Sequence, residues 1–62
     1  MDSRTIIRML KKDGWYLVNV EGSHHHFCHP EKKGKVTVAH PKKDFCIETL
    51  KRMEQQSGLK LR

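Results

Sequence analysis

The sequence predicts a small α+β domain with the element order α-β-β-β-α. A three-stranded antiparallel sheet would carry both helices on one face. Three observations support this. The two ends of the chain space their apolar residues at intervals of three and four, as one face of a helix does. Three central stretches are short and either rich in aromatic and β-branched residues or alternating in polarity, as half-buried strands are. Glycine, proline or short charged runs separate these segments.

Asp2 or Ser3 can cap the first helix, because each offers an oxygen to the unpaired amides of the first turn. Ile6, Ile7, Met9 and Leu10 give that helix an apolar stripe, and Lys11-Lys12-Asp13 ends it on a polar note. Gly14 is a natural stop, since glycine takes the left-handed terminal conformation without steric cost. Trp15 to Val20 reads as the first strand. Glu21-Gly22 is a turn signal, and Ser23 to His29 forms the second strand of a hairpin. Pro30 to Gly34 is a polar loop. Lys35 to Ala39 alternates and forms a third strand, followed by the basic loop His40-Pro41-Lys42-Lys43-Asp44. The last helix runs from Ile47 to Gln56 with a narrow stripe of Ile47, Leu50 and Met53. Phe45 packs ahead of it as a staple, Gly58 caps it, Leu59 folds back, and residues 60–62 fray. Two amphipathic helices bury most naturally on one face of such a sheet. The layout is that of double-stranded-RNA-binding domains, although topology alone does not give function.

Sixty-two residues make one domain, spanning 1–62. A chain of this size buries only about 60% of the surface its unfolded form exposes, so it has no room for a large internal substrate cavity. It must work at its surface or with a partner. Thirteen Lys and Arg against seven Asp and Glu give a net charge of +6. That balance favours polyanions: nucleic acid first, then an acidic protein, then an anionic membrane. No window approaches the ~20 apolar residues of a membrane span, and no signal peptide is legible. Cys28 and Cys46 are too few for a disulfide framework and form no C-x-x-C pair. They read as reduced thiols of a cytoplasmic protein.

The stretch Gly22 to Pro30 holds four of the five histidines and one of the two cysteines. Gly-Ser-His-His-His has the look of a purification-tag remnant, but it lies mid-chain between patterned segments that need it as a connection. Histidine titrates near neutral pH and serves as acid, base or ligand with little tuning. Successive strand residues point to opposite faces. With Phe27 turned to the helices, His25 and His29 share its side, while His24, His26 and Cys28 lie on the open face. The Gly22-Ser23 lead-in lets backbone approach a phosphate closely, and Ser23 adds a hydroxyl. A structural metal is disfavoured. Same-face strand neighbours stand ~7 Å apart and His24 to Cys28 spans ~13 Å, whereas zinc needs its ligand atoms ~2.0–2.3 Å away. His29 and His40, each before a proline at a strand end, read as structural spacers.

Taken together, Gly22-Ser23-His24-His25-His26-Phe27 with His29-Pro30, Lys35-Val36-Thr37-Val38 with His40-Pro41-Lys42-Lys43-Asp44, and Ile47 with Thr49-Leu50-Lys51 resemble the HicA family of toxin ribonucleases. Asp13-Gly14-Trp15 after the opening helix is similar too, and the likeness spans residues 3–59. It implies a double-stranded-RNA-binding-domain-like fold and a translation-independent mRNA endoribonuclease. It also implies a HicB-type antitoxin that neutralises the toxin. It places the essential histidine directly after Gly-Ser, at His24, with Gly22 in support. Ala39 stands where the family commonly has Pro, Phe45-Cys46-Ile47-Glu48 replaces Leu-Pro-Ile-Gly, and the last helix is more polar at Arg52, Glu54 and Ser57. These departures leave Gly22, Ser23 and His24 untouched.

RNA carries its own nucleophile, the 2′-hydroxyl, so the chemistry requires no cofactor and no metal. His24 would act as general base, or as general acid if another group takes the proton. His26 is the candidate second group. Lys32, Lys33, Lys35, Lys42 and Lys43 would hold phosphates and offset developing charge. The alternatives are a non-catalytic RNA-binding module of the same fold and a basic face that docks an acidic protein.

Overall fold

The computed structural model describes residues 1–61 as α1 (Ser3–Asp13), β1 (Tyr16–Glu21), β2 (His24–Cys28), β3 (Val36–Ala39) and α2 (Ile47–Ser57). The strands form one antiparallel sheet in the order β1-β2-β3.

Each end of α1 follows from its local sequence. The Asp2 carboxylate accepts the Thr5 N–H at 3.0 Å. At the other end Gly14 sits at φ 108°, its N–H donating to the Lys11 carbonyl and the Trp15 N–H to that of Leu10. This is a Schellman cap, which satisfies two carbonyls the helix cannot. It also turns Trp15 inward, where its side chain is buried. Trp15 was expected to open the first strand. It lies ahead of β1 instead, as the residue that closes the cap.

The β1–β2 hairpin closes on Gly22-Ser23, with Glu21 opposite His24. Gly22 has φ 59° and Ser23 has no positive φ. A positive φ at the first central residue alone marks the II′ hairpin turn, which suits the natural strand twist and calls for glycine. The register shifts between Leu17 and Asn19, so Val18 forms a bulge. All six β1 residues are exposed.

Cross-strand partners share a face. Phe27 pairs with Val36 and His25 with Val38, and Phe27, Val36 and Val38 are buried. Ile6 and Leu10 of α1 and Leu50 and Met53 of α2 complete the same core, so both helices cover that face. His24 pairs with Ala39 and His26 with Thr37 on the opposite face.

Two expectations about the chain end fail. Ile47 was placed in the apolar stripe of the last helix, but it is 57% exposed, and Ser57 takes the inward position two turns beyond Leu50. Residues 60–62 were expected to fray, yet Leu61 is 1% exposed and belongs to the core. The Glu54 carboxylate accepts the Leu61 N–H at 2.7 Å. Buried Ser57 donates to the Met53 carbonyl at 2.7 Å and accepts the Leu59 N–H at 3.1 Å. In so small a domain a terminal leucine is worth burying, and these bonds satisfy the backbone that brings it inward. Arg62 lies outside the described residues.

Candidate active site

The loop after β3 is tied to the start of α1. The Ser3 N–H donates to the Lys42 carbonyl at 2.8 Å, and the Lys42 N–H donates to Ser3 Oγ at 2.9 Å. Ser3 Oγ also meets His40 Nδ1 at 2.7 Å. The ring of His40 stands edge-on to that of His25, with centroids 5.1 Å apart. Ser3 and His40 therefore fix the backbone of Lys42, whose ammonium lies over the Phe45 ring 5.2 Å from its centroid.

This loop, the outer sheet face and α2 enclose a groove of about 300 Å³. His24, Thr37 and Ala39 form its floor. Lys42 and Phe45 come from the loop, and Thr49, Arg52, Met53 and Gln56 come from α2. The outer face is thus not fully open. α2 packs beside β3, the edge strand, and one side of the helix rises as a wall next to His24.

The five histidines separate cleanly by their partners. His25 Nδ1 meets the Ser23 carbonyl at 3.2 Å. His26 Nδ1 meets Thr37 Oγ1 at 2.9 Å, and its Nε2 stands 3.5 Å from the Glu21 carboxylate. His29 Nδ1 accepts the N–H groups of Glu31 and Lys32 at 3.0 and 3.1 Å. With Nδ1 an acceptor, the ring proton sits on Nε2 and donates to the Asp13 carbonyl at 2.8 Å. His40 is held by Ser3. Among the described residues only the ring of His24 has no hydrogen bond or ion pair, and it is exposed at the groove.

A family model described as "HicA toxin of bacterial toxin-antitoxin" matches residues 3–59. The chain belongs to the HicA toxin family. It is thereby a toxin of the toxin-antitoxin class. The fold also matches a solved structure titled "HicA3 and HicB3 toxin-antitoxin complex", with a TM-score of 0.78, 29% sequence identity and complete coverage of both chains. No curated protein sequence matches.

In this HicA toxin, Gly22 and Ser23 form the turn that sets His24 as the first residue of β2. The Ser23 carbonyl accepts the His40 N–H at 2.7 Å and so joins that turn to the end of β3. His26 lies beside the groove, reached through Thr37, and is not part of its lining.

Only one of the five lysines expected to hold phosphates, Lys42, lines the groove. Lys33 and Lys35 are exposed on the approach to β3, and Lys43 faces Asp2 and Arg4 on the far side of the loop. Lys32 lies away from the groove and is engaged within the fold. Its ammonium pairs with the Asp13 carboxylate and donates to the Ser57 carbonyl at 2.9 Å, pinning the end of α1 to the end of α2. The hydrogen bond from the Lys32 ammonium to the Asp13 carboxylate is the main cause holding that carboxyl below its ordinary range. A lysine so engaged ties the two helix ends together within the fold.

Thr49, Arg52 and Gln56 were not expected at the site. Their spacing was nevertheless a signal, because positions i, i+3 and i+7 share one helix side. Among the described residues no group of three or more His, Cys, Asp or Glu is placed to hold a metal ion, and no helix is long and apolar enough to cross a membrane.

Proposed function

We propose that this toxin is an mRNA endoribonuclease with His24 as its acid–base group, acting in the cytoplasm and silenced by a HicB-type antitoxin that covers the groove. The observation that carries this reading is the contrast among the histidines. Four are held by partners within the protein, and the fifth stands unengaged in a basic groove.

The chemistry is an internal transfer. His24 takes the proton from the 2′-hydroxyl as that oxygen attacks phosphorus. The P–O5′ bond breaks, and the 5′-oxygen leaves with a proton from solvent or a second group. The products are a 2′,3′-cyclic phosphate and a 5′-hydroxyl. A histidine in this role supplies ~10²–10⁴ in rate. Lys42 offsets charge on the phosphate and draws RNA to the groove. His26, held between Thr37 and Glu21, is the nearest candidate for the second proton transfer.

The matched complex contains a HicB3 partner, which supports an antitoxin for this chain. A basic groove favours an acidic counterpart, with apolar contacts to hold the complex once charge has steered it in.

The deciding experiment is cleavage of an oligoribonucleotide in EDTA by the parent protein and by His24→Ala, with the 3′ ends analysed. Cleavage by the parent alone, leaving cyclic phosphate, is expected. Binding without cleavage by either protein would replace the nuclease with an RNA-binding module. Equal cleavage by both would remove His24 from its role.

A further inference from the structure

We infer that Arg52 of α2 is a catalytic residue of this site, its guanidinium gripping the non-bridging oxygens of the phosphate that His24 acts upon. The inference rests on the nuclease reading above and adds the group that would hold the reacting phosphorus in place.

Arg52 lines the same groove as His24, from the α2 side. It is exposed, and no hydrogen bond or ion pair among the described residues engages it. The absence of a partner is informative because one is at hand. Glu48 lies one turn N-terminal, the favourable order for an i, i+4 pair on a helix, yet no such pair forms among the described residues. The guanidinium stays available to the groove.

α2 is built for this double duty. Leu50, Met53 and Ser57 turn into the protein. Thr49, Arg52 and Gln56 follow one another along the side that walls the groove. The burial of Leu50 and Met53 fixes the rotation of the helix, and that rotation places Arg52 in the lining of the groove that also holds His24.

The two groove cations are not equivalent. Lys42 carries a compact charge that lies over Phe45. Arginine offers a planar fork of donors that matches two phosphate oxygens at once. In the cyclising step negative charge grows on the non-bridging oxygens, and a preorganised fork there stabilises the transition state more than the ground state. The concave setting favours RNA over a protein side chain as the occupant, since a phosphodiester can place its charge within a groove of about 300 Å³.

The test compares the parent protein with Arg52→Lys and Arg52→Ala in single-turnover cleavage of an oligoribonucleotide. It uses the natural phosphate and, separately, each phosphorothioate isomer at the cut position. Binding is measured with a 2′-deoxy substitution at that position, which blocks cleavage. Arg52→Ala should slow cleavage about 10²–10³-fold, the cost of losing one oxyanion donor, with a much smaller change in binding. Arg52→Lys should recover only a small part of the loss. One phosphorothioate isomer should slow the parent protein, and that penalty should shrink in Arg52→Ala, an effect no purely structural role produces. Cleavage within about threefold of the parent, with the sulfur penalty unchanged, would overturn the assignment of Arg52 and leave the nuclease standing. Loss of binding and cleavage in equal measure would make Arg52 a general phosphate contact and overturn its transition-state role. A parent protein that does not cleave would refute the nuclease reading and this inference with it.

Discussion

Gly14 shows how much can depend on one residue. It ends α1 at φ 108°, and a Cβ placed there would stand 2.9 Å from His29 Nε2. Gly14→Ala therefore meets both a backbone penalty and a clash with a ring bonded at both nitrogens. It should destabilise the protein by about 1–3 kcal/mol, read as a lower urea midpoint with little change in slope. Gly22 differs, with φ 59° and open space around it. Gly22→Ala should strain only the turn, and cleavage should fall through displacement of His24 more than through unfolding. The turns at Gly14 and Gly22 and the placement of His24 at the start of β2 were all legible in sequence, because turn chemistry and the motif are local. That His24 is the unengaged histidine was not legible. It depends on Thr37, Ser3, Asp13 and Glu21 reaching the other rings from elsewhere in the chain.

At the scale of elements, the junction between the two helix ends is the feature sequence reading missed. Lys32 joins Asp13 at the end of α1 to Ser57 at the end of α2, and Leu61 fills the core behind them. Leu61→Ala should cost about 2–5 kcal/mol, as for other buried leucines, and chemical denaturation would measure it. A loss under about 0.5 kcal/mol would mean the segment frays after all. The lowered Asp13 carboxyl gives a pH signature. A carboxyl with a depressed folded pKa contributes stability that is fully present above its unfolded value of 3.8 and is lost as pH falls through the lower folded value. Thermal midpoints should thus drop in that acid range, and the drop should be shallower in Lys32→Met. Lys32→Met should also leave RNA binding near the parent level, which separates it from the groove lysine.

Over the whole molecule, the proposed RNA binding would draw its strength from net charge, while the fold would decide which charges count. Lys42 lines the groove and Lys43 does not. Lys42→Ala should reduce the dependence of log binding constant on log salt by ~0.7, the value for one single-strand phosphate contact. Lys43→Ala should change it less. Equal effects would mean that RNA reads the general surface charge and not the groove. Such a result would weaken the case for a built site while leaving the family membership intact.

The sequence by itself determined the element order, the hairpin turn, the caps at Gly14 and Gly58, and the motif around His24. Each depends on interactions within a few residues or on a periodicity that survives without the rest of the chain. Only the tertiary structure decided that Lys32 is a strut, that Leu61 is core, and that Arg52 of α2 lines the same groove as His24. Those outcomes depend on where the edge strand β3 meets a helix that begins eight residues later. Burial of Leu50 and Met53 against Val36 and Val38 sets that meeting, and the spacing along either segment does not encode it.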